Sequence, residues 1–109
     1  MKYLFEDKII DVHMGNKNYK VQLVKTNYDK GGVAIKAVIY MSGEPFGKLT
    51  VNIPEKVNCL GEDEVFIKAY GENEELAKAA RESGLFIPTG EWITSSFIKV
   101  EIWKLRKEN

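Results

Sequence analysis

Residues 32–54 read GVAIKAVIYMSGEPFGKLTVNIP. Val33, Ile35, Ala37 and Ile39 alternate with Ala34, Lys36, Val38 and Tyr40. Further on, Leu49, Val51 and Ile53 alternate with Thr50 and Asn52. Successive side chains of a strand point to opposite faces, so each set marks one face of a sheet. Between the two runs lies Met41-Ser42-Gly43-Glu44-Pro45, which carries the Gly and Pro that turns use. The stretch therefore predicts a hairpin, with Pro54 ending its second strand because proline cannot donate to a ladder.

Outward from this hairpin the pattern repeats. Residues 8–14 make a first strand, and Gly15-Asn16-Lys17-Asn18 a hairpin loop. Tyr19, Val21 and Leu23 alternate with Lys20 and Gln22 as a second strand. The polar loop 26–32, with two glycines, leads into the central hairpin. After it, 55–64 is polar and turn-rich, and 65–70 reads as a short strand or an extended segment. Pro88-Thr89-Gly90 reads as a turn, 91–94 as a short strand and 97–105 as the last strong strand. On that strand Ile98, Val100 and Ile102 share one face, and Phe97, Lys99, Glu101, Trp103 and Leu105 the other. The charged tail 106–109 is expected to fray.

One helix is expected, over about residues 73–83. Asn73 suits the N-cap. Glu74 and Glu75 sit in the first turn and Arg81 in the last, as the helix dipole favours. Gly84 is placed for a left-handed C-terminal cap. Leu76, Ala77, Ala79 and Ala80 give a small-residue face that can lie close on a sheet. Short connections favour antiparallel pairing, and the single late helix excludes repeated βαβ units. The fold class is α+β: an antiparallel, largely meandering sheet with one α-helix packed on one face.

At 109 residues the chain is expected to form a single domain, 1–109. Its apolar fraction of 44% is enough for one core. Sixteen basic and sixteen acidic residues cancel. A chain without basic excess is not expected to bind nucleic acid directly. The N-terminus MKYLFEDKII lacks the pattern of a signal peptide, and no apolar run approaches the ~20 residues that span a bilayer. A cytoplasmic location without membrane contact is expected. Cys59 is the only cysteine, so no disulfide closes within the chain.

Candidate chemistry is sparse. His13 is the only histidine and lies in a strand pattern without a triad motif. Cys59 has only His13 as a candidate base, so a small hydrolase is the weakest reading. One Cys and one His cannot build a structural zinc site, and Gly31-Gly32 lacks the phosphate-loop pattern. The expected absences are catalytic residues, metal and cofactor. What remains is surface. Glu62, Asp63, Glu64, Glu72, Glu74 and Glu75 form an acidic segment that could meet a basic partner. Trp103 shares its face with Lys99 and Glu101, so it is a candidate interface anchor on a partly exposed face.

The order of GEPFGKLTVNIP (43–54), Glu64-Val65-Phe66-Ile67-Lys68, ENEELAKAARESGLFIPTG (72–90) and Ser96-Phe97 resembles a family of small uncharacterised proteins from phages, plasmids and conjugative elements of Firmicutes, Actinobacteria and Bacteroidetes. The resemblance spans roughly residues 19–105. Where the family favours Ser-Gly-Phe, this chain has Ser95-Ser96-Phe97. The resemblance implies an accessory, non-enzymatic binding role, as in anti-CRISPR or other anti-defence inhibitors. The implied partner is a host protein such as a CRISPR effector nuclease. It implies no catalytic residues. The alternative is a self-associating structural or small-molecule-binding module, and the sequence leaves monomer and homodimer open.

Overall fold

The computed structural model describes residues 2–6, 8–29 and 31–108. Asp7 in the N-terminal segment, Lys30 in the polar loop and Asn109 in the tail lie outside the described residues. The fold is α+β; the described residues form seven strands in two antiparallel sheets and one α-helix.

The first sheet is a meander of β1 (Ile9–Met14), β2 (Lys17–Asn27), β3 (Val33–Ile39) and β4 (Pro45–Lys48). Its inward residues oppose one another across the ladders. Ile10 faces Val21, and Leu23 faces Ala37. Such cross-strand apolar pairs are the unit of sheet stabilisation and hold the register.

The expected hairpin is only half right. Its second strand is 45–48, not 49–53. The turn is tight, since Gly43 N–H donates to the Ile39 carbonyl at 2.9 Å and Ile39 N–H to the Glu44 carbonyl at 2.8 Å. The ladder therefore resumes at once, with Pro45 tolerated because β4 is an edge strand. Residues 49–53 then cross to the second sheet. Lys68 N–H donates to the Leu49 carbonyl, and Val51 N–H to the Phe66 carbonyl. Pro54 opens a 3-10 helix, Pro54–Cys59, rather than closing a strand.

The second sheet orders β5 (Glu64–Ile67), β7 (Ile98–Leu105) and β6 (Phe86–Ser95). Pro88-Thr89-Gly90 is not a turn between elements but an irregularity inside β6, between Pro88 and Trp92. There the Thr89 hydroxyl donates to the Ile102 carbonyl at 2.7 Å, filling a gap in the ladder next to a proline that has no N–H.

The helix α1 (Glu74–Glu82) follows a 3-10 turn, Gly71–Asn73. Leu76, Ala77 and Ala80 are buried, as the small-residue face requires. The helix does not lie on the face of a single sheet. It packs against β1 of one sheet and β6 of the other. Its buried face joins a core shared by both sheets, with Phe5, Val12, Leu23, Ile35, Ile67, Trp103 and Leu105 among its members. Phe86 sits between Phe5 and Trp103, its ring centroid 5.5 and 5.7 Å from theirs. A smaller cluster of Ile53, Phe66, Val100 and Ile102 fills the other face of the second sheet.

Two local expectations give way to longer-range contacts. The Asn73 side chain does not cap α1. It is buried and donates instead to the carbonyls of Lys48 and Lys68, tying β4 to the segment that leads into the helix. The tail does not fray over 106–108. Lys107 bridges to Tyr3, and Leu4 N–H donates to the Arg106 carbonyl at 2.7 Å.

Candidate interaction surface

The acidic segment separates into two groups, at opposite ends of β5. In the first group the carboxylates serve the fold. Asp63 adopts φ 62° and accepts a 2.5 Å hydrogen bond from the Tyr3 hydroxyl. It also lies 3.0 Å from the Lys107 ammonium. These two hydrogen bonds hold its carboxyl below the usual aspartate value. The bond to Asp63, then burial, push the Tyr3 hydroxyl up to about 12. Glu64 turns its carboxylate back to accept the Gly61 N–H at 2.6 Å. Glu62 is exposed, with Lys107 3.9 Å away. In the second group Glu72, Glu74 and Glu75 are all exposed at the start of α1. Only these three form a free acidic edge, so the six acids are not one patch.

Trp103 is not an exposed anchor. It is fully buried. Its strand face is covered because α1 lies over the stem of the second sheet. Arg81 on α1 stacks its guanidinium 5.5 Å from the Trp103 ring centroid. The same guanidinium pairs with Glu101 at 2.7 Å, and Glu101 accepts the Trp103 indole N–H at 3.2 Å. The two charged neighbours that suggested exposure thus differ in role, since Glu101 belongs to the lid over the ring.

The exposed aromatics lie farther along the same hairpin. Ser95 pairs with Ile98, leaving a two-residue turn of Ser96 and Phe97. Both adopt positive φ, 49° and 65°. That is the pattern of a type I′ turn, which favours Asn-Gly because a side chain at positive φ is strained. Phe97 is fully exposed. Ile98, 38% exposed, follows it in the chain, and Trp92, 52% exposed, lies three ladder pairs back along the hairpin opposite Glu101. Lys99 places its ammonium 4.9 Å over the Trp92 ring. The hairpin therefore carries an exposed ring at its tip and, farther along, an indole covered by a cation. The signal for the tip in the sequence is the absence of any Gly or Asn between two strands joined at 95–97.

A second feature is concave. A cavity of about 210 Å³ opens between the loop after β2, the crossover 51–54, the 3-10 helix and β5. Val33, Val51, Ile53, Val57, Leu60 and Phe66 supply its apolar wall. Tyr28 and Glu64 supply polar groups. The Tyr28 hydroxyl is already engaged with Thr50 Oγ1 at 2.8 Å, and Thr50 Oγ1 accepts the Ile35 N–H at 3.0 Å. Burial pushes the Tyr28 hydroxyl up from its ordinary value.

His13 and Cys59 are both exposed and lie on separate features. His13 lines a shallow depression between β1 and the end of α1 with Asp11, Glu82 and Ser83. Cys59 ends the 3-10 helix. Among the described residues no group of three or more His, Cys, Asp or Glu is placed to hold a metal ion. Among them no helix is long and apolar enough to cross a membrane. Comparison with protein-family models, curated proteins and solved structures finds no match to this chain.

Proposed function

We propose that this is a non-enzymatic binding protein whose β6–β7 hairpin engages a partner protein. Phe97 carries the reading. A bulky side chain at positive φ costs about 1–2 kcal/mol relative to glycine, and full exposure leaves that cost without a packing gain in the free molecule. An aromatic ring held at a hairpin end, with Ile98 next to it and an exposed Trp92 farther along the same hairpin, has the composition of an interface hot spot. The free acidic edge of Glu72, Glu74 and Glu75 adds long-range attraction to a basic surface and acts on the association rate more than on the final affinity.

The setting follows from the family resemblance: a phage or mobile-element inhibitor acting in the host cytoplasm on a nuclease or other effector. A pull-down and cleavage assay with a CRISPR effector from a plausible host tests it. The wild type is expected to bind and to suppress cleavage. Phe97→Ala is expected to bind about 30-fold or more weakly, the range of a hot-spot truncation. A Glu74→Lys, Glu75→Lys variant is expected to bind more slowly with a smaller salt dependence. Absence of binding to every effector tried, with no protection of phage, overturns the inhibitor reading. A His13→Ala, Cys59→Ala variant is expected to keep full activity, and its inactivity would favour an enzyme.

A further inference from the structure

We infer that the Phe97 ring of one molecule seats in the apolar cavity beside the 3-10 helix of a second copy, so that the chain self-associates through a finger and a cavity. The two features fit in size. An apolar cavity of about 150 Å³ in a protein interior accepts benzene. The cavity here, about 210 Å³, has room for a phenyl ring and its methylene. They also fit in character. Valine, isoleucine, leucine and phenylalanine side chains make most of the wall, and Phe97 exposes a whole ring to water. Charge is complementary at the rim. Lys99 is the only charged residue among 95–99, and among the described residues Glu64 is the one charged group lining the cavity.

The finger cannot reach its own cavity. Phe66 in the cavity wall pairs with Ile102, five residues along the strand from Phe97. Five residues of extended chain span roughly 16 Å. A second molecule must therefore supply the ring. Ile98 and Phe66 lie on the same face of the second sheet, the face of Val100 and Ile102. Two copies laid face to face about a two-fold axis can each give one finger and take one. Such an isologous contact closes on itself. It would bury less than the ~1,600 Å² of a standard stable interface, so it is weak and set by concentration. The inference does not depend on a host partner. Both contacts use Phe97, however, so self-association and partner binding compete.

Sedimentation velocity over the micromolar to millimolar range tests it on the full chain. The wild type is expected to pass from monomer to dimer. Phe97→Ala, which removes the finger, and Val57→Asp, which puts a charge in the cavity wall at a half-exposed site, are each expected to weaken the dimer about tenfold or more. Mixing the two variants restores one finger and one cavity, so mixed dimers are expected where neither variant associates alone. Circular dichroism and thermal melts of both variants should match the wild type; Val57→Trp, which fills the cavity, replaces Val57→Asp if that variant unfolds. A wild type that stays monomeric throughout, a Phe97→Ala variant that dimerises normally, or a mixture that stays monomeric overturns the inference. Val57→Asp is remote from the hairpin and should bind a host effector as the wild type does, whereas Phe97→Ala binds it more weakly, which separates this contact from the proposed function.

Discussion

The turns of two hairpins contrast sharply. Between β1 and β2, Met14 pairs with Lys17 across Gly15 and Asn16. Only the first turn residue, Gly15, needs positive φ, 62°. Between β6 and β7, Ser96 and Phe97 both hold positive φ without a glycine. The first turn uses a residue that takes this conformation freely. The second holds a bulky ring in it. Turn geometry alone therefore accounts for Gly15-Asn16 and does not account for Phe97. A side chain that the local backbone disfavours, and that touches nothing in the free molecule, points to a contact made elsewhere.

The largest test compares tip with stem along the same hairpin. Trp103→Ala should destabilise by about 3–5 kcal/mol, the usual range for removing a buried aromatic. Phe97→Ala should change stability by no more than about 0.5 kcal/mol, because nothing packs on the ring. Urea unfolding of both variants measures the pair. Equal losses would mean the tip is structural and would break the contrast.

Asn73→Ala comes next, at about 1–3 kcal/mol, since two carbonyls lose a buried donor. An N-cap replacement costs about 1 kcal/mol, so a loss well above that separates a cross-link between segments from a cap. This is also where the sequence misleads. Asn before a Glu-Glu turn reads as a cap in either case, because local spacing does not record distant carbonyls. The same limit explains the crossover. Leu49, Val51 and Ile53 alternate like one strand, yet Leu49 enters the shared core and Ile53 the smaller cluster. Period two reports alternate burial and is silent on which sheet does the burying. The strands β1, β3 and β7, the middle of β2 and the helix were legible because each keeps one apolar face, whereas β2 also runs through Lys17, Asn18, Thr26 and Asn27, whose polarity reads as loop. The acidic site was misread in part because nearness along the chain is not nearness in space, with β5 between the two groups. Trp103 was misread because Lys99 and Glu101 look alike as charges, whereas Arg81 from α1 recruits only Glu101 to cover the ring.

Smaller effects sharpen the turn comparison directly. Replacing Ser96 by Asn and Phe97 by Gly should stabilise the chain by about 1–2 kcal/mol while removing binding. Gly15→Ala should do the reverse to the other hairpin, costing about 1 kcal/mol with binding intact. Thermal melts alongside the binding assay measure both. Stabilisation without loss of binding would place the contact away from Phe97.

The smallest effect is a pH dependence at neither hairpin, and it serves as the control. Asp63 has a folded value below 3.8, so its share of stability is complete above that value and disappears as pH falls through the lower one. Tyr3 is raised from 10.0 to about 12, so its share is complete below pH 10 and disappears as pH rises toward 12. Tyr3→Phe should narrow both changes in a melt series against pH and leave binding at neutral pH unchanged. A Tyr3→Phe melt series with the wild-type slopes at both extremes would remove the Tyr3–Asp63 bond from the account.

The contact between Tyr3 and Lys107 has a topological consequence. Glu108 N–H donates to the Lys2 carbonyl at 3.0 Å, so the described chain runs out from one point and returns to it. Lys2 and Glu108 can be joined by a short linker with little loop-closure entropy, giving a circular backbone. New ends could then be opened at the exposed turn around Ser42 and Gly43, where a permuted chain should keep both sheets and present the same aromatic tip.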